Sequence, residues 1–154
     1  MSTIRIELDG VQELIAALEA VGKDAVAEIG AAVTKTALDV DRDIKNRMQS
    51  SPASGRLYRR GKGRNRSRTH RASAPGQPPA IDTGRLINSI MFRQETPLTA
   101  TVSSNAIYAA RLEYGGGDSR GVYIAPRPSW RPAVEKMRPK LAERIERALR
   151  DAMQ

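Results

Sequence analysis

The alternation of apolar and polar residues predicts one strand and two helices in the N-terminal third of the chain. Residues 3–8 alternate with a period of two, and Asp9-Gly10 supplies a turn signal after them. Apolar residues then recur at helical spacing over residues 11–21 and again over residues 23–48. The pattern therefore predicts a strand followed by a pair of amphipathic helices, the second about seven turns long.

The rest of the pattern predicts shorter elements and one more long helix. Residues 82–90 favour a short helix, residues 91–95 and 99–104 two strands joined by a turn, residues 107–114 another short helix, and residues 122–124 a last strand. Helical spacing resumes at Ser129 and continues to Ala152, with Pro132 in the first turn and a kink expected at Pro139. Residues 1–154 are thus predicted to form one α+β domain, in which a small, mostly antiparallel sheet packs against the N-terminal helix pair and the C-terminal helix.

Basic residues are concentrated in one segment. The chain has 26 Lys and Arg against 17 Asp and Glu, a formal net charge of +9. Ten of the basic residues and no acidic residue lie in residues 44–81, so the rest of the chain has a net charge of −1. The basic character therefore belongs to this segment and not to the protein as a whole.

Residues 52–79 have the composition of a long flexible loop inserted in the domain. Gly, Pro, Ser and Asn are frequent, and Leu57 and Tyr58 are the only large apolar residues. Three interpretations of the loop stay open: it neutralises nucleic-acid phosphates, it orders against an acidic protein surface, or it is a solvated insertion. The candidate partner or nucleic-acid contacts are Arg56, Arg59, Arg60, Lys62, Arg64, Arg66, Arg68 and Arg71.

Residue types that carry catalysis or bind metals are scarce. Cysteine is absent, and His70, the only histidine, falls in the flexible segment, where nothing rigid is expected to hold it beside a partner. Gly115-Gly116-Gly117 lacks the Gly-Lys-Ser/Thr ending of a phosphate-binding loop. No catalytic, cofactor or metal site is predicted, and we expect a protein that is not an enzyme. Without a membrane-spanning apolar run or a signal-peptide pattern, we also expect a soluble protein made in the cytosol.

Three motifs in sequence order carry a resemblance to a known family. They are Pro-Pro-Ala-Ile-Asp-Thr-Gly-Arg-Leu-Ile-Asn-Ser-Ile at residues 78–90, Ile-Tyr-Ala at residues 107–109 with Leu-Glu-Tyr-Gly at residues 112–115, and Ala-Pro-Arg-Pro-Ser-Trp-Arg-Pro-Ala at residues 125–133. In this order and spacing they resemble the tail-completion or head-tail joining (neck) proteins of long-tailed bacteriophages and prophages. The resemblance extends over nearly the whole chain, but the Arg-rich insertion and the triple Gly depart from the family pattern.

The resemblance implies structural roles for the motif residues Asp82, Thr83, Gly84, Arg85, Leu86, Tyr108, Glu113, Tyr114, Gly115, Arg127, Pro128, Trp130 and Pro132. Asp82 or Thr83 would cap the short helix, and Gly84 would allow close backbone approach. The aromatic residues Tyr108, Tyr114 and Trp130 would anchor the sheet to the terminal helices. Gly115 would release the chain into a loop, while Arg127 and Pro128 would set the entry into the last helix. These residues could equally specify only the fold of the monomer.

The function implied by the resemblance is that of a structural virion protein. Such a protein would complete the tail, or join tail to head, as a homo-oligomeric and most simply hexameric ring between connector and tail tube. Its partners would be copies of itself and other neck, connector and tail-tube proteins, with transient contact to packaged DNA, no membrane and no cofactor. It would assemble in the bacterial host cytoplasm and reside in the virion. The alternatives are a cytosolic nucleic-acid-binding protein that uses the basic loop and, less favoured, an inhibitor or toxin that acts on a host protein through the same loop.

Overall fold

A computed structural model of the chain describes residues 23–60, 68–117 and 121–152. The strand predicted at residues 3–8 and the helix predicted at residues 11–21 lie outside these ranges. The elements, in chain order, are α1 (Lys23–Gln49), β1 (Leu57–Arg60), β2 (Arg68–Arg71), α2 (Arg85–Asn88), β3 (Ile90–Thr96), β4 (Thr99–Ser104), α3 (Ala109–Tyr114), β5 (Gly116–Gly117), β6 (Tyr123–Ile124) and α4 (Trp130–Ala152). The predicted α+β class is confirmed. In the described residues the strands pair as three separate antiparallel ribbons, β1–β2, β3–β4 and β5–β6.

The two long helices form the body of the protein by packing against each other. In one core cluster, Ile44 and Met48 near the end of α1 lie with Trp130 and Met137 near the start of α4. In the second cluster the N-terminal half of α1 lies with the C-terminal half of α4, for example Ile29 beside Leu141. The helices are therefore antiparallel, and each buries the apolar stripe that its sequence predicts. The α4 helix continues through Pro139, and the kink expected there stays a prediction.

The β3–β4 hairpin covers this helix pair on one side. Its turn approaches α1 so closely that a Cβ atom on Gly30 would lie 2.7 Å from the carbonyl oxygen of Pro97. Next to the turn, Leu98 is buried in the second core cluster, and the Thr34 hydroxyl donates a hydrogen bond to Gln94 Oε1 at 2.8 Å. A glycine inside a helix is unfavourable by about 1 kcal/mol relative to alanine. At position 30, the close contact with the β3–β4 turn explains why the residue is a glycine.

Charged side chains join α1 to α4 along the edge of the core. Asp43 accepts hydrogen bonds from Lys136 Nζ at 2.5 Å and Arg47 Nε at 2.6 Å. One turn earlier, Arg144 donates to Asp39 at 2.6 Å and to the Thr36 hydroxyl at 2.8 Å. The carboxylates of Asp39 and Asp43 are thus each paired with a cation from the opposite helix.

Both carboxylates are stabilised in their ionised form. The hydrogen bond from Arg144 is the main reason why the pKa of Asp39 lies below its usual value. Burial raises the pKa of Asp43, but the hydrogen bonds and charges of Lys136 and Arg47 outweigh burial, so this pKa is also lowered. Pairing across the helix interface therefore favours the folded state at neutral pH.

The segment predicted as a flexible loop contains regular structure. Strands β1 and β2 pair antiparallel from Leu57↔Arg71 to Arg60↔Arg68, so the expectation of a segment without secondary structure is wrong for these residues. Backbone hydrogen bonds from Gly55 N to Ala72 O (2.7 Å) and from Ala72 N to Arg56 O (3.0 Å) continue the ladder to the base of the hairpin. Pairing between distant residues supplies the order that the composition did not predict. Mobility of the segment stays a prediction.

We predict that the Asp43 ion pairs make the protein less stable in acid. Because the pKa of Asp43 is lower in the folded than in the unfolded state, its contribution is complete above the unfolded value of about 3.9 and is lost as pH falls through the folded value. Urea unfolding of the wild type and of Asp43→Asn should give a stability difference that is constant from neutral pH down to about pH 5 and shrinks below about pH 4. The exposed Asp151→Asn serves as the control, and an Asp43→Asn difference that does not change with pH would contradict the assignment.

Candidate functional site

The three sequence motifs converge on one cleft. Its volume is about 640 Å³, and it lies between the motif at residues 78–90, helix α3 and the base of the β1–β2 hairpin. The side chains of Ile81, Arg85 and Leu86 from the first motif, Tyr108 from the second and Arg127 from the third all line it. The structure therefore brings together motif residues as far apart in the chain as Pro79 and Arg127.

Glu113, in the second motif, connects this motif to the third. It is buried, and its carboxylate accepts three backbone hydrogen bonds from the start of α4: from Ser129 N at 2.7 Å, Trp130 N at 3.1 Å and Arg131 N at 2.8 Å. The first N–H groups of a helix have no partner within the helix and carry partial positive charge. A carboxylate from α3 thus caps α4 and joins the second motif to the third. The sequence contained Glu113 as a motif residue but gave no sign of this role.

The structure explains why position 115 is a glycine. Its φ is +75°, and a Cβ atom there would lie 2.9 Å from Pro126 Cδ and 3.0 Å from Ile124 O. Instead of releasing the chain into a loop, Gly115 leads directly into β5, which pairs with β6. Arg111 holds this ribbon against α3 through hydrogen bonds to Gly116 O at 3.2 Å and Val122 O at 2.5 Å.

Arg127 connects the third motif to the base of the basic hairpin. Its Nε donates to Ser73 O at 3.1 Å, and its backbone N–H donates to Leu112 O at 2.6 Å. A second link runs from Gly76 N to Pro126 O at 2.8 Å. Arg127 therefore does more than set the entry into α4, the role that the resemblance implies for it together with Pro128. Pro132 lies in the first turn of α4, as predicted, and its carbonyl accepts a hydrogen bond from Arg47 at 3.5 Å.

The first motif begins its helix differently from the prediction. Gly84 occupies the N-cap with φ +76°, and no side-chain hydrogen bond caps α2. Thr83 Oγ1 accepts a hydrogen bond of 3.4 Å from Arg85 N instead, and Asp82 faces His70. Gly84 is thus required for its left-handed backbone and not for close packing, because a Cβ would come no nearer than 3.3 Å to Asn88 Nδ2.

The aromatic residues of the motifs differ in burial. Trp130 is buried in the first core cluster and Tyr108 packs against that cluster, as the resemblance implies. Tyr114 does not anchor the sheet, because 59% of its surface is exposed and its ring lies 5.7 Å from the guanidinium carbon of Arg131. The position of Tyr114 at the exposed end of α3 explains the difference.

His70 is held more firmly than its setting in the sequence predicted. It lies on β2 opposite Tyr58, lines the cleft, and its Nδ1 is 3.5 Å from Asp82 Oδ1.

In the described ranges no group of three or more His, Cys, Asp or Glu side chains could hold a metal ion. In the same part of the chain no helix is long and apolar enough to cross a membrane.

Five of the eight basic candidates lie on or directly beside strands β1 and β2. Arg59 is exposed, the Arg56 guanidinium carbon lies 5.5 Å from the Tyr58 ring centre, and Arg71 donates to Gly55 O at 3.2 Å. Arg60 and Arg68 are opposite each other in the strand register. The remaining three, Lys62, Arg64 and Arg66, lie outside the described residues.

The fold and its buried polar contacts define a protein whose motif residues hold structural elements together. The chain belongs to the HK97-gp10-like family, described as "Bacteriophage HK97-gp10, putative tail-component", whose model matches residues 12–115, about two thirds of the chain. The match includes α1, the β1–β2 and β3–β4 hairpins and the first two motifs, and it ends before the third motif. The protein is thus a bacteriophage tail component and part of the virion. No curated protein and no solved structure matches the chain.

We predict that Glu113→Ala strongly destabilises the fold. Three N–H groups at the start of α4, of which those of Ser129 and Trp130 are buried, would lose a charged acceptor, which should lower the free energy of unfolding by about 2–4 kcal/mol. Glu113→Gln keeps one acceptor oxygen and should lose less. Chemical denaturation measures both, with the exposed Glu135→Ala on α4 as the matched control, and a Glu113→Ala variant as stable as this control would contradict the capping role.

Proposed function

We propose that this tail component acts at the neck of the virion, where it forms a ring between connector and tail tube that completes the tail or joins it to the head. The resemblance of the three motifs to neck proteins and the membership in a tail-component family support this position. The proposed role is structural and not catalytic, since the motif residues at the cleft make contacts that hold the fold together. The ring is proposed as a hexamer, with other neck, connector and tail-tube proteins as neighbours.

One structural observation carries the proposal of self-assembly. The four most exposed large apolar side chains of the described residues are close in sequence: Ile107, Tyr114, Val122 and Tyr123, each more than 50% exposed. Tyr114 ends α3, and Arg111 ties α3 to the ribbon that carries Val122 and Tyr123. Exposed apolar and aromatic side chains held on a rigid support are typical of protein interfaces. We name this set the α3 surface and propose that a neighbouring subunit covers it.

Charged substitutions on the α3 surface should prevent ring formation. Tyr123→Lys and Ile107→Lys would place a charge in the proposed subunit contact, while both positions are exposed enough for the monomer to fold. Electron microscopy and sedimentation of the purified full chain should show rings for the wild type and dispersed subunits for the variants. Met91→Lys, at a similarly apolar exposed position on β3, is the control that should keep rings. Rings in all three variants would contradict the assigned contact, and a dispersed wild type would favour the nucleic-acid-binding alternative.

The hairpin should be required for joining heads to tails but not for folding. The proposal is tested by replacing residues 58–70 with Asn-Gly, so that Leu57 and Arg71, already paired, flank a two-residue turn. The contacts of Ser73, Gly76 and Arg127 at the hairpin base remain. Thermal unfolding of this variant should stay close to that of the wild type, while particles made with it should accumulate as separate heads and tails. A normal yield of joined particles would refute the role of the hairpin.

A further inference from the structure

Arg85 differs from the other arginines of the three motifs in what its side chain contacts. Arg127 donates hydrogen bonds to two backbone carbonyls, and Arg131 lies over the ring of Tyr114. The exposed Arg85 side chain makes no hydrogen bond, ion pair or ring contact with the described residues, and only the Arg85 backbone is hydrogen-bonded. The described part of the fold therefore gives the guanidinium group of this motif residue no structural role.

Arg85 lines the cleft together with apolar side chains that remain exposed. Ile81 is 45% exposed and Tyr58 is 44% exposed, and both line the same cleft. The cleft volume of about 640 Å³ lies within the range of about 300–1,000 Å³ that is typical of ligand sites. Arginine and tyrosine are also enriched among the residues that contribute most to protein interfaces. The cleft therefore has the size and the lining of a docking site.

The described residues that line the cleft carry more positive than negative charge. Arg85 and Arg127 both line it, and Asp82 is the only acidic residue among them. Asp82 Oδ1 lies 3.5 Å from His70 Nδ1, so this carboxylate is already engaged on the hairpin side of the cleft. A guanidinium group matches the geometry of a carboxylate and pairs with it through two hydrogen bonds. A ligand with a carboxylate would therefore supply the anion that Arg85 lacks.

A second copy of the chain offers no carboxylate on an extended segment within the described ranges. Outside the cleft, the exposed acidic side chains of these ranges lie on α1, α4 or the paired strand β3; they are Glu28, Glu95, Glu135, Glu143, Glu146 and Asp151. A helix with its side chains is about 10–12 Å across, whereas an extended segment can place a carboxylate and an apolar side chain in one cleft together. These observations favour a partner other than this chain.

We propose that the cleft binds an extended segment of another virion protein. A carboxylate of the segment would pair with Arg85, and an apolar side chain would lie against Ile81 and Tyr58. The proposal rests on the proposed function, since the partner is sought among virion proteins. It gives Arg85 a role in contact between proteins, beside the structural roles of Arg127 and Glu113.

The proposal is tested with an array of short overlapping peptides that covers the other structural proteins of the same virion and this chain itself. The fluorescently labelled full chain should bind a small set of peptides from the other proteins, each with an acidic and an apolar residue. In solution, fluorescence anisotropy with the strongest-binding peptide should give a Kd about 10-fold higher for Arg85→Gln, because a charge-assisted pair is lost. Ile81→Gln should raise the Kd by a similar factor, because an apolar contact is lost.

Two variants outside the cleft serve as matched controls. Arg147→Gln removes one charge from an exposed position of α4, and Met91→Gln replaces an apolar side chain that is 47% exposed on β3. Both should keep the wild-type Kd, and far-UV circular dichroism verifies that all four variants are folded. Equal weakening by Arg85→Gln and Arg147→Gln would overturn the proposal, because it would show attraction to the net charge alone. Absence of any bound peptide, or binding only by peptides of this chain, would overturn it as well.

The same variants separate this proposal from the proposed ring. Arg85 is not part of the α3 surface, so Arg85→Gln should still form rings in electron micrographs. Rings together with a peptide affinity that does not depend on Arg85 would contradict only the docking site. Arg85-dependent peptide binding by dispersed subunits would support the docking site and contradict only the ring.

Discussion

The fold depends on the contact between the Glu113 carboxylate and the first backbone N–H groups of α4. A helix of six residues such as α3 is unstable alone, yet this one supplies the group that fixes where a helix of 23 residues begins. A shift of one residue in that start would rotate the apolar stripe of α4 by about 100°. Trp130 and Met137 would then leave the core that they share with α1, and Lys136 and Arg144 would leave Asp43 and Asp39. The packing and the ion pairs between α1 and α4 thus both depend on the residue at which α4 begins.

The basic residues of the protein work in two different physical settings. In the helix body, Lys136 and Arg144 are paired with aspartates across the helix interface, and their charge contributes to stability. Over residues 44–81, by contrast, ten basic residues occur with no acidic residue among them in the sequence. A net charge of +9 does not distinguish these settings, but pairing in three dimensions does. The formal charge is therefore best interpreted residue by residue.

Sequence periodicity was sufficient wherever burial of one apolar face decides the structure. It predicted α1, the β3–β4 hairpin, α3 and α4, and these agree with the structure within a few residues. It failed for β1 and β2, because these four-residue strands are rich in arginine and are ordered by pairing between residues up to 14 positions apart, Leu57 with Arg71. The role of Glu113 was hidden for the same reason, since its donors lie 16 to 18 positions away. The motifs located the cleft, whereas the contacts that give Gly84, Tyr114 and Glu113 their roles required the fold.

The base of the hairpin and the start of α4 are connected by one short stretch of chain. Pro126 and Arg127 hold residues 73–76 at the hairpin base, and Ser129, only two residues later, donates to Glu113. Hydrogen bonds therefore connect this stretch both to the base of the hairpin and to the start of α4. Arg111 holds the β5–β6 ribbon, which carries part of the α3 surface, against α3. In the proposed ring, the α3 surface and the base of the hairpin would then keep a constant orientation to each other in every copy. That constant orientation would let a closed ring present all its hairpins in the same direction.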